Sequence, residues 1–165
     1  MKKLRTLVAT PLALALATVL TVAATAALAA DAPFTTRTLP RAEVIAKHAD
    51  AASKFVELDG VKVHYKDEGK GPAILLVHGT FGDLSDWDGW VKVLSPAYRV
   101  IRLDLPTFGL TGPIASGVYS VERKHLVIDA LMDHLGLERF AIAGVSYGGL
   151  VAFRYAATRT VTLPS

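Results

Sequence analysis

The most constraining feature of the chain is six residues long. Gly144-Val145-Ser146-Tyr147-Gly148-Gly149 lies between the apolar run Phe140 to Ala143 and a stretch that places Leu150, Phe153 and Ala157 on one helical side. A short apolar run followed at once by a helical pattern leaves no room for a loop, so the backbone must pass from strand to helix within a few residues. Such a bend strains the residue at its apex, and glycines two positions to either side remove the Cβ atoms that would clash. The spacing predicts Ser146 at the apex, Gly144 and Gly148 as its clearance, and a hydroxyl presented at the end of a sheet. The helix that begins there brings partial positive charge to the same point. The Tyr147 N–H, directly after the serine, is a candidate donor to an oxyanion formed beside that hydroxyl.

The residues upstream supply the rest of the sheet. Phe55 to Leu58 and Val61 to Tyr65 alternate apolar and polar residues around Asp59-Gly60, a strong hairpin signal. Gly69-Lys70-Gly71-Pro72 turns the chain into Ala73 to Val77, an apolar run of the kind buried on both faces. The Gly69-Lys70-Gly71 spacing is turn chemistry and does not match a phosphate loop. Trp87, Trp90, Val91 and Leu94 share a helical face, with Ser85 as candidate N-cap and Pro96 beyond the end. Tyr98 to Leu103 reads as a strand, and Asp104 to Gly112 as a loop containing Pro106 and Gly109. A helix is predicted from Val121 to Leu135, with Ser120 as its cap, Ile128, Leu131, Met132 and Leu135 as its stripe, and Gly136 as its stop. The alternation implies an α/β fold: an antiparallel entry hairpin, then parallel strands with helices on both faces.

A second oxyanion donor should come from a loop after an earlier strand. His78-Gly79-Thr80-Phe81-Gly82 follows the central apolar run, and Gly79 lets the backbone turn inward, which makes the Thr80 N–H the candidate. With these motifs in order, the region from Phe55 to Thr158 resembles the α/β-hydrolase superfamily, in its N-terminal half only. The branch is the one related to epoxide hydrolases, cofactor-free haloperoxidases and carboxylesterases. The hairpin Val56 to Glu68, the segment His78 to Gly82, Asp104-Leu105-Pro106-x-Phe108-Gly109, Leu135-Gly136-Leu137-Glu138-Arg139 and the Ser146 turn carry the likeness. The resemblance implies Ser146 as nucleophile, Thr80 and Tyr147 as the oxyanion pair, and Asp104 as a residue that organises its loop. Serine at the turn, where aspartate would serve dehalogenase or epoxide hydrolase chemistry, implies acyl transfer to water from an ester-like small substrate. Thr107 stands where the family loop usually has glycine.

A serine hydroxyl needs a histidine base oriented by a carboxylate, and the superfamily places both after the serine. No residue after Ser146 is His, Asp or Glu. Thr158 to Ser165 does not continue the family pattern, and the expectation is a truncated or frame-shifted chain with little turnover. Upstream histidines are poor substitutes. His78 is expected to anchor its loop; His125 and Asp129, four apart, to form a solvent-exposed helix pair; and His134 to favour its helix C-terminus. His64 lies in the hairpin, and His48 reads as a surface residue. No metal spacing is present, and no cofactor is expected.

Net charge adds little once it is located. Lys2, Lys3 and Arg5 supply the whole excess of 18 basic over 15 acidic residues, so the body is neutral and no nucleic-acid partner is expected. Residues 1–30, a basic start followed by an uncharged Ala/Leu/Val stretch, read as a signal peptide or membrane anchor. Residues 31–53 read as a tether with a short helix, in which Val44, Ile45, His48 and Ala52 share a face. Residues 54–165 read as the partial hydrolase domain, expected to lie outside the cytoplasm in exported or anchored form. A small-molecule substrate, membrane association through residues 7–30, and self-association through an unpaired sheet edge at Phe140 to Gly144 complete the expectations. The alternative to a hydrolase is a non-catalytic tethered binding domain.

Overall fold

The computed structural model describes residues 38–159. The leader at residues 1–30 and the start of the tether lie outside the described residues, as do residues 160–165. The chain divides into Met1–Leu39 and Pro40–Ser165, and everything below belongs to the second unit.

Helix α1 (Arg41–His48) comes first, without a buried residue, and its Arg41 guanidinium reaches the carbonyls of Leu110 and Thr111. The helix ends at His48 because Ala49 is extended, so Ala52 does not share its face as the spacing suggested. Strands β1 (Lys54–Leu58) and β2 (Val61–Glu68) form the entry hairpin, with Asp59 and Gly60 both at positive φ (49° and 71°), the mirror-image turn that suits the twist of paired strands. β3 (Ala73–Val77), β4 (Arg99–Leu103) and β5 (Ala141–Gly144) complete a five-stranded sheet in the order β1-β2-β4-β3-β5. β2 pairs antiparallel with β1 and β4, while β3 pairs parallel with β4 and β5.

The sheet is covered on both faces, which explains the unbroken apolar run of β3. Leu75 and Val77 point into a core with Ile101 and Leu103. That core is closed by α3 (Val121–His134) through Val127, Ile128, Leu131 and Met132, and by α4 (Tyr147–Thr158) through Val151 and Tyr155. Leu76 points the other way and packs with Val100, Trp87 and Val91, the last on α2 (Asp88–Leu94). Period-two alternation along a strand sends neighbours to opposite faces, and here both faces are dry.

Several local expectations need correction. A one-turn 3₁₀ helix, Leu84–Trp87, precedes α2, and its cap is Asp83, whose side chain accepts the Ser85 N–H; Ser85 is not the cap. Aspartate reaches the first free amides from one residue further back. Trp90 is 59% exposed and does not share the buried face of Trp87 and Val91, because the 3₁₀ turn breaks the 3.6-residue period between them. Tyr98 lies outside β4. On α4 the side with Leu150, Phe153 and Ala157 faces outward, and Gly148, Val151, Ala152 and Tyr155 are buried instead. Ser120 caps α3, accepting the Arg123 N–H at 3.2 Å, and Gly136 adopts φ 65° after it. Among the described residues β5 is an edge strand, with Ala141 and Ala143 exposed.

Candidate active site

β3 and β5 run parallel with Val77 beside Gly144, so the segments that follow them leave the same end of the sheet. After β5 the Val145 N–H donates to the Val77 carbonyl (3.2 Å), and the next residue turns the chain. Ser146 has φ 52° and ψ −120°, and α4 begins immediately after it, with the Leu150 N–H donating to the Ser146 carbonyl at 3.1 Å. A side chain held at positive φ costs about 1–3 kcal/mol. Packing holds it there. A Cβ on Gly148 would run into the Val77 and His78 carbonyl oxygens, and a Cβ on Gly144 would run into the Gly148 backbone. The two glycines let β5 and the start of α4 pass close to β3. Ser146 itself is exposed.

The segment after β3 packs against this bend. A Cβ on Gly79 would lie 3.3 Å from the Ser146 Cβ and from the Val145 carbonyl oxygen, a tight fit that a side chain there would relieve only by moving the two segments apart by a few tenths of an ångström. Gly79 to Gly82 forms a tight turn closed by the Gly82 N–H on the Gly79 carbonyl (3.2 Å), with exposed Thr80 inside it and Phe81 at φ 63° and 97% exposed. His78 is fully buried. Its Nε2 accepts the Leu105 N–H (3.0 Å), which puts the ring proton on Nδ1, where it donates to the Gly79 carbonyl (2.8 Å). Both ring nitrogens are occupied by backbone, and Phe108 packs edge-on against the ring. His78 ties the turn after β3 to the loop after β4 and has no lone pair left to act as a base.

That second loop is centred on Asp104, which is 1% exposed. Its Oδ1 accepts the Leu84 N–H (2.8 Å), and its Oδ2 accepts the Leu110 N–H (2.7 Å) and lies 2.7 Å from His64 Nδ1. Two amides from different loops thus converge on one carboxylate, which fixes the turn after β3 relative to Asp104–Gly112. Thr107 stands in this loop at φ 74°, the left-handed region a β-branched residue rarely adopts. Two hydrogen bonds hold it there: the Thr107 N–H donates to the Gly112 carbonyl (3.2 Å) and its hydroxyl to the Pro106 carbonyl (2.5 Å). Near the loop, burial works to raise the Asp83 pKa, but the hydroxyl and amide of Ser85 outweigh it and hold the carboxyl below the usual carboxylate range.

Of the other histidines, His48 is exposed, His134 lies in the last turn of α3 and His64 lies in the hairpin, all as expected, whereas His125 is not where its helix spacing suggested. His125 is 2% exposed and does not pair with Asp129; its Nε2 lies 3.0 Å from the Val151 carbonyl, and Tyr155 packs edge-on against its ring. Asp129 accepts the Tyr155 hydroxyl (2.7 Å) and pairs with Arg159. The approach of α4 to α3 buries the face that the helix alone would leave in water. His134 is exposed, with Nε2 3.5 Å from the Tyr65 hydroxyl. His64 is 3% exposed and connects Asp104 to Ser53, whose Oγ lies 2.9 Å from His64 Nε2. Sequence reasoning missed this link. Lys62 is exposed while Tyr65 is buried, so β2 alternation alone would send His64 to water; the residues that cover it lie at the tether end and after β4. Among the described residues no imidazole bonds to Ser146, and no cluster of His, Cys, Asp and Glu is arranged to hold a metal ion.

The sequence and the fold both have relatives. A family profile described as the alpha/beta hydrolase fold matches residues 72–164. The chain is 37% identical over 109 residues to the dihydrolipoyllysine-residue acetyltransferase component of an acetoin cleaving system from Cupriavidus necator, covering 66% of this chain and 29% of that protein. It is 31% identical over 107 residues to haloalkane dehalogenase 2 of Mycobacterium tuberculosis, covering 65% and 37%. A pimeloyl-[acyl-carrier protein] methyl ester esterase of Legionella pneumophila is 38% identical over 96 residues, covering 58% and 36%. A crystal structure of an epoxide hydrolase from Vigna radiata superposes with a TM-score of 0.61 at 28% identity, covering 65% of this chain and 34% of that one. The chain spans about a third of the length of these relatives.

Proposed function

The chain belongs to the alpha/beta hydrolase fold family, and from that premise we propose that it carries the nucleophile half of a serine hydrolase acting on an ester-like small molecule. Ser146 is the nucleophile in this reading. The observation that carries it is the backbone of Ser146, exposed at positive φ between β5 and α4 with a glycine clearance on both sides. Nothing in packing alone rewards an exposed serine for such strain, whereas a nucleophile gains access from it. The Tyr147 N–H is the first amide of α4, one of those that no carbonyl within the helix takes. The Thr80 N–H lies in the turn whose Gly79 packs on the bend. These two amides are the proposed cradle for a tetrahedral oxyanion, with the helix terminus adding favourable charge.

The base for Ser146 is not among the described residues, so turnover should be slow or absent, and covalent labelling, resting on the exposed position and the amide cradle alone, should be slow as well. Incubation with a fluorophosphonate probe, followed by peptide mass mapping, should place an adduct on Ser146, and Ser146→Ala should remove that adduct. Labelling of Ser146 no faster than that of exposed Ser116 in the folded chain would reject the role. The reading of residues 1–30 as a leader would put the domain outside the cytoplasm, which fractionation of cells and the mass of the recovered protein would check. The edge at β5 makes self-association on a sizing column the accompanying expectation.

A further inference from the structure

The one Ser–His–Asp chain of hydrogen bonds among the described residues is not at Ser146. Asp104 accepts the amide protons of Leu84 and Leu110, which marks it as an acceptor and makes its contact with His64 Nδ1 (2.7 Å) one in which the ring donates. His64 Nε2 is then the ring's lone-pair nitrogen, and it faces Ser53 Oγ at 2.9 Å. The ring is held flat by Phe55, stacked at 4.8 Å with an interplanar angle of 23°. His64 and Asp104 are 3% and 1% exposed, while Ser53 is partly exposed at the turn leading into β1. The Asp50 N–H donates to the same Ser53 oxygen (3.1 Å), which orients the hydroxyl. Asp50 Oδ1, at 3.3 Å, is a second and more distant acceptor for the Ser53 hydroxyl; that oxygen also takes the Ala52 N–H (3.0 Å), and Asp50 Oδ2 takes Lys66 Nζ (2.5 Å).

We propose that Ser53, His64 and Asp104 form a second nucleophilic site that accepts an acyl or phosphonyl group from small activated esters. In the acyl case Ser53 Oγ bonds to the carbonyl carbon as its proton passes to His64 Nε2. The carbon–oxygen bond to the leaving group then breaks, releasing an aryloxide. Asp104 steadies the imidazolium, which gives its proton to solvent. Water then cleaves the acyl–serine ester to a carboxylic acid and restores the hydroxyl. The Ser53 N–H is taken by the Asp50 carbonyl (3.1 Å) and does not steady an oxyanion, which restricts the site to substrates with good leaving groups. This site stands independently of Ser146.

The test uses the full chain carrying Ser146→Ala, treated in separate arms with a fluorophosphonate probe and with p-nitrophenyl acetate. Adducts are mapped by peptide mass spectrometry, with exposed Ser116 as the internal reference for an unactivated serine. The expected result is modification of Ser53 at least about tenfold faster than Ser116, since a positioned general base contributes on that scale or above. Ser53→Ala should abolish the adduct, and His64→Gln should bring the rate down to that of Ser116 while circular dichroism shows a folded chain. Equal rates at Ser53 and Ser116 in a folded chain overturn the proposal, whether or not His64→Gln folds.

Discussion

Ser146 and Ser53 make an instructive pair. Ser146 stands on a strained bend that Gly144 and Gly148 permit, with Gly79 packed against it, and no described imidazole bonds to its oxygen. Ser53 stands on a plain turn with an imidazole at 2.9 Å and a buried carboxylate behind it, but its own amide is already bonded. The first has the backbone of a nucleophile and the second has the side-chain relay. Backbone geometry at a bend is dictated by residues a few positions apart, whereas a relay is assembled from segments that meet only in the folded chain. The pair shows these two requirements being met separately, at different ends of the same loop system around Asp104.

The largest effect should come from Gly148→Ala. Its methyl would strike the Val77 and His78 carbonyl oxygens, and overpacking against backbone costs about 3 kcal/mol. A drop of that size in denaturant unfolding is expected, together with loss of the Ser146 adduct. If the comparison is right, whatever fraction still folds keeps its Ser53 adduct. Asp104→Ala should come next, at about 2 kcal/mol, because it leaves the Leu84 and Leu110 amides and the His64 ring without their buried acceptor. It should damage both serines at once, in contrast to Gly148→Ala; an effect confined to Ser53 would show that the Asp104 loop does not hold the turn after β3.

Thr107→Gly should raise the melting temperature by the equivalent of less than about 1 kcal/mol, as relief of positive-φ strain is largely offset by the added chain entropy of glycine and by loss of the hydroxyl bond to Pro106. Reactivity at either serine should not change. The smallest effect belongs to an ion pair between β2 and β4 that bonds to neither serine. Two bonds from Arg99 lower the Asp67 pKa against the opposing influence of burial. A carboxyl with a lowered folded pKa adds stability that is fully present above its unfolded value, near 4, and is lost as pH falls through the folded value. Thermal melts of Asp67→Asn should therefore be less sensitive to acid below about pH 4 than those of the parent chain, with equal labelling at both serines.

Much of the architecture was legible because its signals are local. Asp59-Gly60 announced the hairpin, the apolar run Ala73 to Val77 announced a strand covered on both faces, and Ser120 with Gly136 bounded α3. The bend at Ser146 was legible for the same reason: its glycines and the elements on either side are neighbours in the chain. Trp90 was misplaced because a single 3₁₀ turn shifts the helical phase, a difference of about one residue that periodicity does not resolve. His125 was misread because α4, not its own helix, decides what covers it.

What the sequence determined by itself is the order of strands and helices and the place where the chain must bend sharply, since those follow from the conformational preferences of adjacent residues. Only the tertiary structure decided that Ser53, His64 and Asp104, separated by 11 and 40 positions, share one line of hydrogen bonds. Hydrogen bonds of that kind depend on angstrom-scale distances between segments. Those distances are set by the packing of the whole sheet, and no local pattern encodes them.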